Sequence, residues 1–102
     1  MNKTLAFALM LVSSSVSAES DLCIAVSRTA EQIMLGRQSG VLMEEQVASL
    51  SSIEDLAIKK MFNRMIIAAY EIPKQESKEL RESAITEFRN KTFLQCNKSL
   101  LN

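Results

Sequence analysis

The chain has 102 residues, twelve of them basic and twelve acidic, with no histidine, no tryptophan and two cysteines. Lacking histidine, it has neither the usual general base for a serine or cysteine nucleophile nor the commonest metal ligand. Its charge is near neutral and interleaved, as in Lys78-Glu79-Leu80-Arg81-Glu82; this is the pattern of solvated helix faces and leaves no electrostatic footprint for nucleic acid.

Residues 1–18 read as a secretory signal peptide. Lys3 supplies a positive start, Leu5 to Val12 an apolar core, and Val16-Ser17-Ala18 a small-residue cleavage site. The core is shorter than the about 20 residues that span a bilayer, and Ser13 to Ser15 follow it directly. Cys23 is preceded by Asp21-Leu22 rather than by the small residues that lipoprotein processing requires. The expectation is cleavage after Ala18, no membrane span in the mature chain, and a periplasmic or secreted protein. Residues 19–102 form one domain, with eleven basic and twelve acidic residues once Lys3 is removed.

The mature chain falls into four helical segments with no strand pattern. From Asp21 to Gln38, the residues Leu22, Cys23, Val26, Ala30, Ile33 and Met34 recur at helical spacing. Ser39-Gly40 ends this helix, with Gly40 suited to a left-handed cap. Val41 to Leu50 reads as a short helix with Val41, Leu42, Val47 and Leu50 inward and Glu44-Glu45-Gln46 outward. Ser52, with Asp55 three residues later, resembles a capping box and starts the next helix. That helix contains Met61-Phe62-Asn63-Arg64-Met65-Ile66-Ile67-Ala68-Ala69-Tyr70, apolar around most of its circumference, and therefore calls for burial on several sides. It stops near Ile72, because Pro73 disfavours a helical residue before it. The last helix begins near Glu76 or Ser77 and runs to about Asn97, leaving Ser99 to Asn102 frayed. Its apolar stripe is Leu80, Ala84, Ile85, Phe88 and Cys96, widened by Phe93 and Leu94.

A domain of this size buries only a modest fraction of its surface and benefits from a staple. Cys23 and Cys96 allow one intramolecular pairing, which an exported protein can form; the alternative is a free or intermolecular thiol. The expected fold is thus all-α, a small bundle of about four helices around a central apolar helix, with one disulfide joining the first and last helices.

Sites of chemistry are few. Glu44-Glu45 and Glu54-Asp55 are adjacent pairs that point in different directions on a helix, so spacing alone makes no acid–base dyad. The cysteines lack zinc-ligand spacing, and neither glycine lies in a phosphate-binding pattern. No catalytic residue, metal ligand or cofactor is expected. Met34, Met43, Met61 and Met65 fit either an adaptable binding groove or an irregular core, the core being preferred. Asn90-Lys91-Thr92 and Asn97-Lys98-Ser99 match the glycosylation triplet, but both lie on an expected helix. The most informative cluster joins two helix ends, Arg37 and Gln38 on the first and Tyr70 and Glu71 on the central one. These four are the candidate contact surface, the other reading being helix capping by Arg37 and amphipathic burial of Tyr70.

The order Cys23, Arg37-Gln-x-Gly40, Ala69-Tyr70-x-x-Pro73, Ile85-x-x-Phe88 and Cys96 resembles small uncharacterised exported proteins of proteobacteria and their phages. The resemblance implies a helical periplasmic protein with a terminal disulfide. It carries no activity, substrate or catalytic residue. The function expected is non-catalytic binding to a protein or envelope partner, with a periplasmic stress chaperone as the alternative and an enzyme the least favoured.

Overall fold

The computed structural model describes residues 21–101, all of its regular elements are helical, and the signal-peptide reading of residues 1–18 lies outside this range. Helix α1 covers residues 21–38. It ends in a Schellman cap: the Val41 amide donates to Gly36 O at 2.9 Å and the Gly40 amide to Arg37 O at 3.2 Å. Gly40 sits at φ +90°, a left-handed conformation that a side chain would strain.

Helix α2, Met43–Ala48, is followed by a 3-10 turn over Ser49–Ser52. Helix α3 runs from Leu56 to Glu71 and α4 from Lys78 to Leu101. The α3 start differs from the expected Ser52. The 3-10 turn takes up Ser52, and Asp55 is the N-cap, its carboxylate accepting from the Ile58 amide at 3.0 Å. At the other end Ile72 is extended at φ −88°, ψ 128°, as a residue before proline should be. Ser77 caps α4 by accepting from the Leu80 amide at 3.1 Å. The helix continues past Asn97, where fraying was expected. No glycine or proline interrupts it there, and Asn97 and Ser99 hydrogen-bond back to the carbonyls of Phe93 and Gln95.

Residues far apart in sequence fix the directions of the helices. The disulfide joins Cys23 of α1 to Cys96 of α4, with Cα atoms 5.6 Å apart. One step toward the other end, Glu31 pairs with Arg89 at 2.9 Å. Moving forward along α1 therefore moves backward along α4, and the two are antiparallel. By contrast the C-terminal ends of α1 and α3 meet, because Arg37 and Gln38 donate to the carbonyls of Ile72 and Pro73. Helices α1 and α3 thus run parallel, and the segment from Gly40 to Asp55 carries the chain back between them. In the chain-entropy model the disulfide, closing a 73-residue separation, stabilises the fold by about 4 kcal/mol. The half-exposed Arg89–Glu31 pair contributes less than about 1 kcal/mol.

The core is drawn from α1, the 3-10 turn, α3 and α4: Ala30, Ile33 and Met34 of α1, Leu50 of the turn, Met65, Ile66 and Ala69 of α3, and Phe88 of α4. Ile66 lies at its centre, 1% exposed, and full burial of such a side chain contributes about 1.5–3 kcal/mol. The burial of α3 is confined to one broad face. Ile67 and Met61 remain exposed, so among the described methionines Met34 and Met65 fill the core while Met43 and Met61 do not. The reason is that α1 is shared by both long helices and presents Cys23, Ser27, Ala30, Ile33, Met34 and Gln38 as its buried stripe.

Two further expectations change. Val41, Leu42 and Val47 were expected inward, but all three are exposed and α2 buries none of its residues. Only Leu50 turns in. On α4, Phe93 and Leu94 do not widen the buried stripe, and Leu80 is also exposed; burial on that helix centres on Phe88, with Ile85 packed beside it.

Candidate functional site

The parallel course of α1 and α3 brings two helix C-termini to one pole of the bundle. A terminus of this kind presents unpaired carbonyls and a negative dipole end, so cations and N–H donors are favoured beside it. Arg37 meets that demand for α3. Its Nε donates to Ile72 O at 3.0 Å, and its guanidinium carbon lies 5.1 Å from the centroid of the Tyr70 ring, in cation–π range.

Gln38 pins the α3–α4 connection from inside. Its Nε2 donates to Pro73 O at 3.1 Å, and its Oε1 accepts from the Gln75 amide at 2.7 Å. Pro73 supplies an acceptor and no donor, so a side-chain amide, with one of each, suits this short connection. Gln38 is 2% exposed. Both ends of its amide are engaged within the fold.

Tyr70 pins the other connection. Its hydroxyl donates to Val41 O at 2.5 Å and accepts from Gln46 Nε2 at 2.9 Å. The same Gln46 nitrogen donates to Ile33 O at 3.0 Å. Sequence reading placed Gln46 outward, yet it is the residue that ties α2 to both α1 and α3, while the apolar residues around it stay exposed. Gly36 makes the approach possible, since a Cβ there would lie 2.5 Å from Gln46 Nε2. The signal available in the sequence was Gly36 itself, a glycine inside a helix that a better helix former would otherwise occupy.

Of the four candidate residues, then, the fold brings together Arg37, Gln38 and Tyr70, and binds each of them to a connecting segment. Glu71 stands on the last turn of α3, exposed and outside this network. The carboxylate pairs Glu44-Glu45 and Glu54-Asp55 are exposed, with Asp55 engaged as a cap. No group of three or more Cys, Asp or Glu residues among those described is arranged to hold a metal ion. No described helix is long and apolar enough to cross a membrane. The bonded Cys23–Cys96 pair fits an oxidising, extracellular or periplasmic setting.

Beside the pinned cluster lies exposed apolar surface. Leu42, Met43 and Val47 are 56%, 37% and 38% exposed, and Val41, whose carbonyl holds the Tyr70 hydroxyl, is 36% exposed. No protein-family model matches this chain, and no curated protein or solved structure is significantly similar to it.

Proposed function

We propose that this is an exported periplasmic protein that acts by non-catalytic contact with a protein partner in the cell envelope, and that the contact is made at the pole carrying α2. The observation that carries the reading is that α2 is an ordered helix that buries none of its residues. Its position is held by the Gln46 and Tyr70 hydrogen bonds, leaving Leu42, Met43 and Val47 free to meet another surface. Arg37 and Tyr70 flank this apolar surface, and Glu71 lies at the same end of α3. Arginine and tyrosine are the residue types that most often carry binding energy. The likeness of the Arg37-to-Cys96 pattern to small exported proteins supports the compartment but names no partner.

A photo-crosslinking side chain at position 42 or 47, in cells exporting the protein, tests this. One discrete adduct is expected, lost in a Leu42→Gln/Val47→Gln variant whose melting temperature stays within a few degrees of the parent. The absence of an adduct would refute the contact reading.

The second reading, a stress chaperone, draws support from exposed apolar side chains on other helices, such as Leu22, Leu56, Leu80 and Leu94. It predicts many weak adducts in place of one, and suppression of the aggregation of an unfolded client in vitro.

A further inference from the structure

The other side of the same pole is basic. Between the C-terminal end of α1 and the start of α4 lies an open cleft of about 390 Å³. Lys74, Lys78 and Arg81 line it, together with Ser39. Leu35, 44% exposed, and Ile85 add apolar wall. Glu82 is the single carboxylate among the lining residues, so three cations face one anion.

Among the described residues the ion pair present is Arg89–Glu31, elsewhere on the α1–α4 seam; no carboxylate lies within ion-pair distance of Lys74, Lys78 or Arg81. With three cations to one carboxylate the cleft keeps a positive excess, and an anion placed among the cations relieves their mutual repulsion. Arg81 is also held in place: its Nη1 donates to the carbonyls of Gln75 at 3.2 Å and Glu76 at 2.9 Å. This orients the guanidinium before any ligand arrives and leaves other N–H groups of its fork available. The Gln75 amide is fixed in turn by buried Gln38, so the connection that carries Lys74 is tied to α1.

We infer that this cleft binds a small phosphate monoester with a short apolar stem, the phosphate held by Lys74, Lys78 and Arg81 and the stem lying on Leu35 and Ile85. A phosphate suits the donors because it accepts from a guanidinium fork and from ammonium groups at once. The apolar wall separates this ligand from a bare ion. A soluble ester and the headgroup of phosphatidic acid share the chemistry. The inference is independent of the α2 contact, which uses different residues.

The test titrates hexyl phosphate into the purified exported protein at low ionic strength, following backbone amide shifts by NMR, with inorganic phosphate and hexanol as head-only and stem-only probes. Shifts confined to residues 35–39 and 74–85 are expected, with hexyl phosphate binding more tightly than either partial probe. A Lys74→Gln/Lys78→Gln variant should weaken binding about tenfold, within the range for two exposed charge contacts. Its melting temperature should not move, because neither lysine side chain makes a hydrogen bond or ion pair among the described residues. Co-sedimentation with vesicles containing phosphatidic acid, lost in the same variant, would assign the site to a lipid headgroup; no sedimentation would assign it to a soluble ester. Shifts scattered over the surface, equal affinity for inorganic phosphate, or affinity unchanged in the double variant would overturn the inference.

Discussion

Replacing Gln38 with methionine separates a structural pin from a contact residue. The two side chains are close in volume, so the change opens no cavity and isolates the amide. The amide receives the Gln75 N–H at 2.7 Å and gives a hydrogen to Pro73 O at 3.1 Å, in a position 2% exposed to solvent. Pro73 O keeps a second donor, Gln75 Nε2 at 3.2 Å, so its loss is partial. The Gln75 amide keeps no partner, and leaving such a group unpaired costs about 1–3 kcal/mol. The total expected is about 2 kcal/mol, which for a domain of this size lowers the melting temperature by about 8–16 °C. Thermal unfolding followed by far-ultraviolet circular dichroism measures it, with Glu71→Ala as the exposed comparison, expected within about 0.5 kcal/mol of the parent. A Gln38→Met variant melting within about 2 °C of the parent would refute the pinning role assigned to the amide.

Gly36→Ala improves the helix by up to about 1 kcal/mol but puts a Cβ 2.5 Å from the Gln46 amide and drives it off Ile33 O and Tyr70 Oη. A net loss of about 1 kcal/mol is expected, and in a Gln46→Ala background the same substitution should become stabilising; urea unfolding of the cycle checks the change of sign. Cys96→Ser removes the bond that joins α1 to α4 and should cost about 2–5 kcal/mol, with non-reducing mass analysis of the parent expected to find no free thiol. Ile66→Asp places a carboxylate at a site 1% exposed and should unfold the domain at physiological temperature. Glu45→Ala, on the exposed face of α2, should leave the melting temperature nearly unchanged, and equal melting of these two variants would show that α3 is not buried at Ile66.

Much of the framework was legible from local chemistry. The limits of α1 and the left-handed Gly40 follow from helical spacing meeting a serine–glycine stop, and the end of α3 follows from the steric demand of Pro73 on Ile72. The Cys23–Cys96 bond followed from there being one possible pair. Each of these is set by neighbours in sequence or by counting, and neither needs to know where the helices lie. What the tertiary structure decided is where amides and exposed apolar side chains end up. Gln38 and Gln46 read as polar and therefore outward, but their partners are groups of Pro73, Gln75, Ile33 and Tyr70, distant in sequence and brought near by the parallel course of α1 and α3. Hydrophobic periodicity records which face of a helix is apolar and carries no term for a single buried amide. Val41, Leu42 and Val47 show the converse: their pattern calls for burial, but the Gln46 anchor and the insertion of Leu50 fix how α2 sits, and its apolar residues are left facing water. The stripe of α1 and the stop at Pro73 belong to the sequence alone, while the pins at the pole exist only once two helix ends are placed side by side and their unpaired carbonyls must find donors.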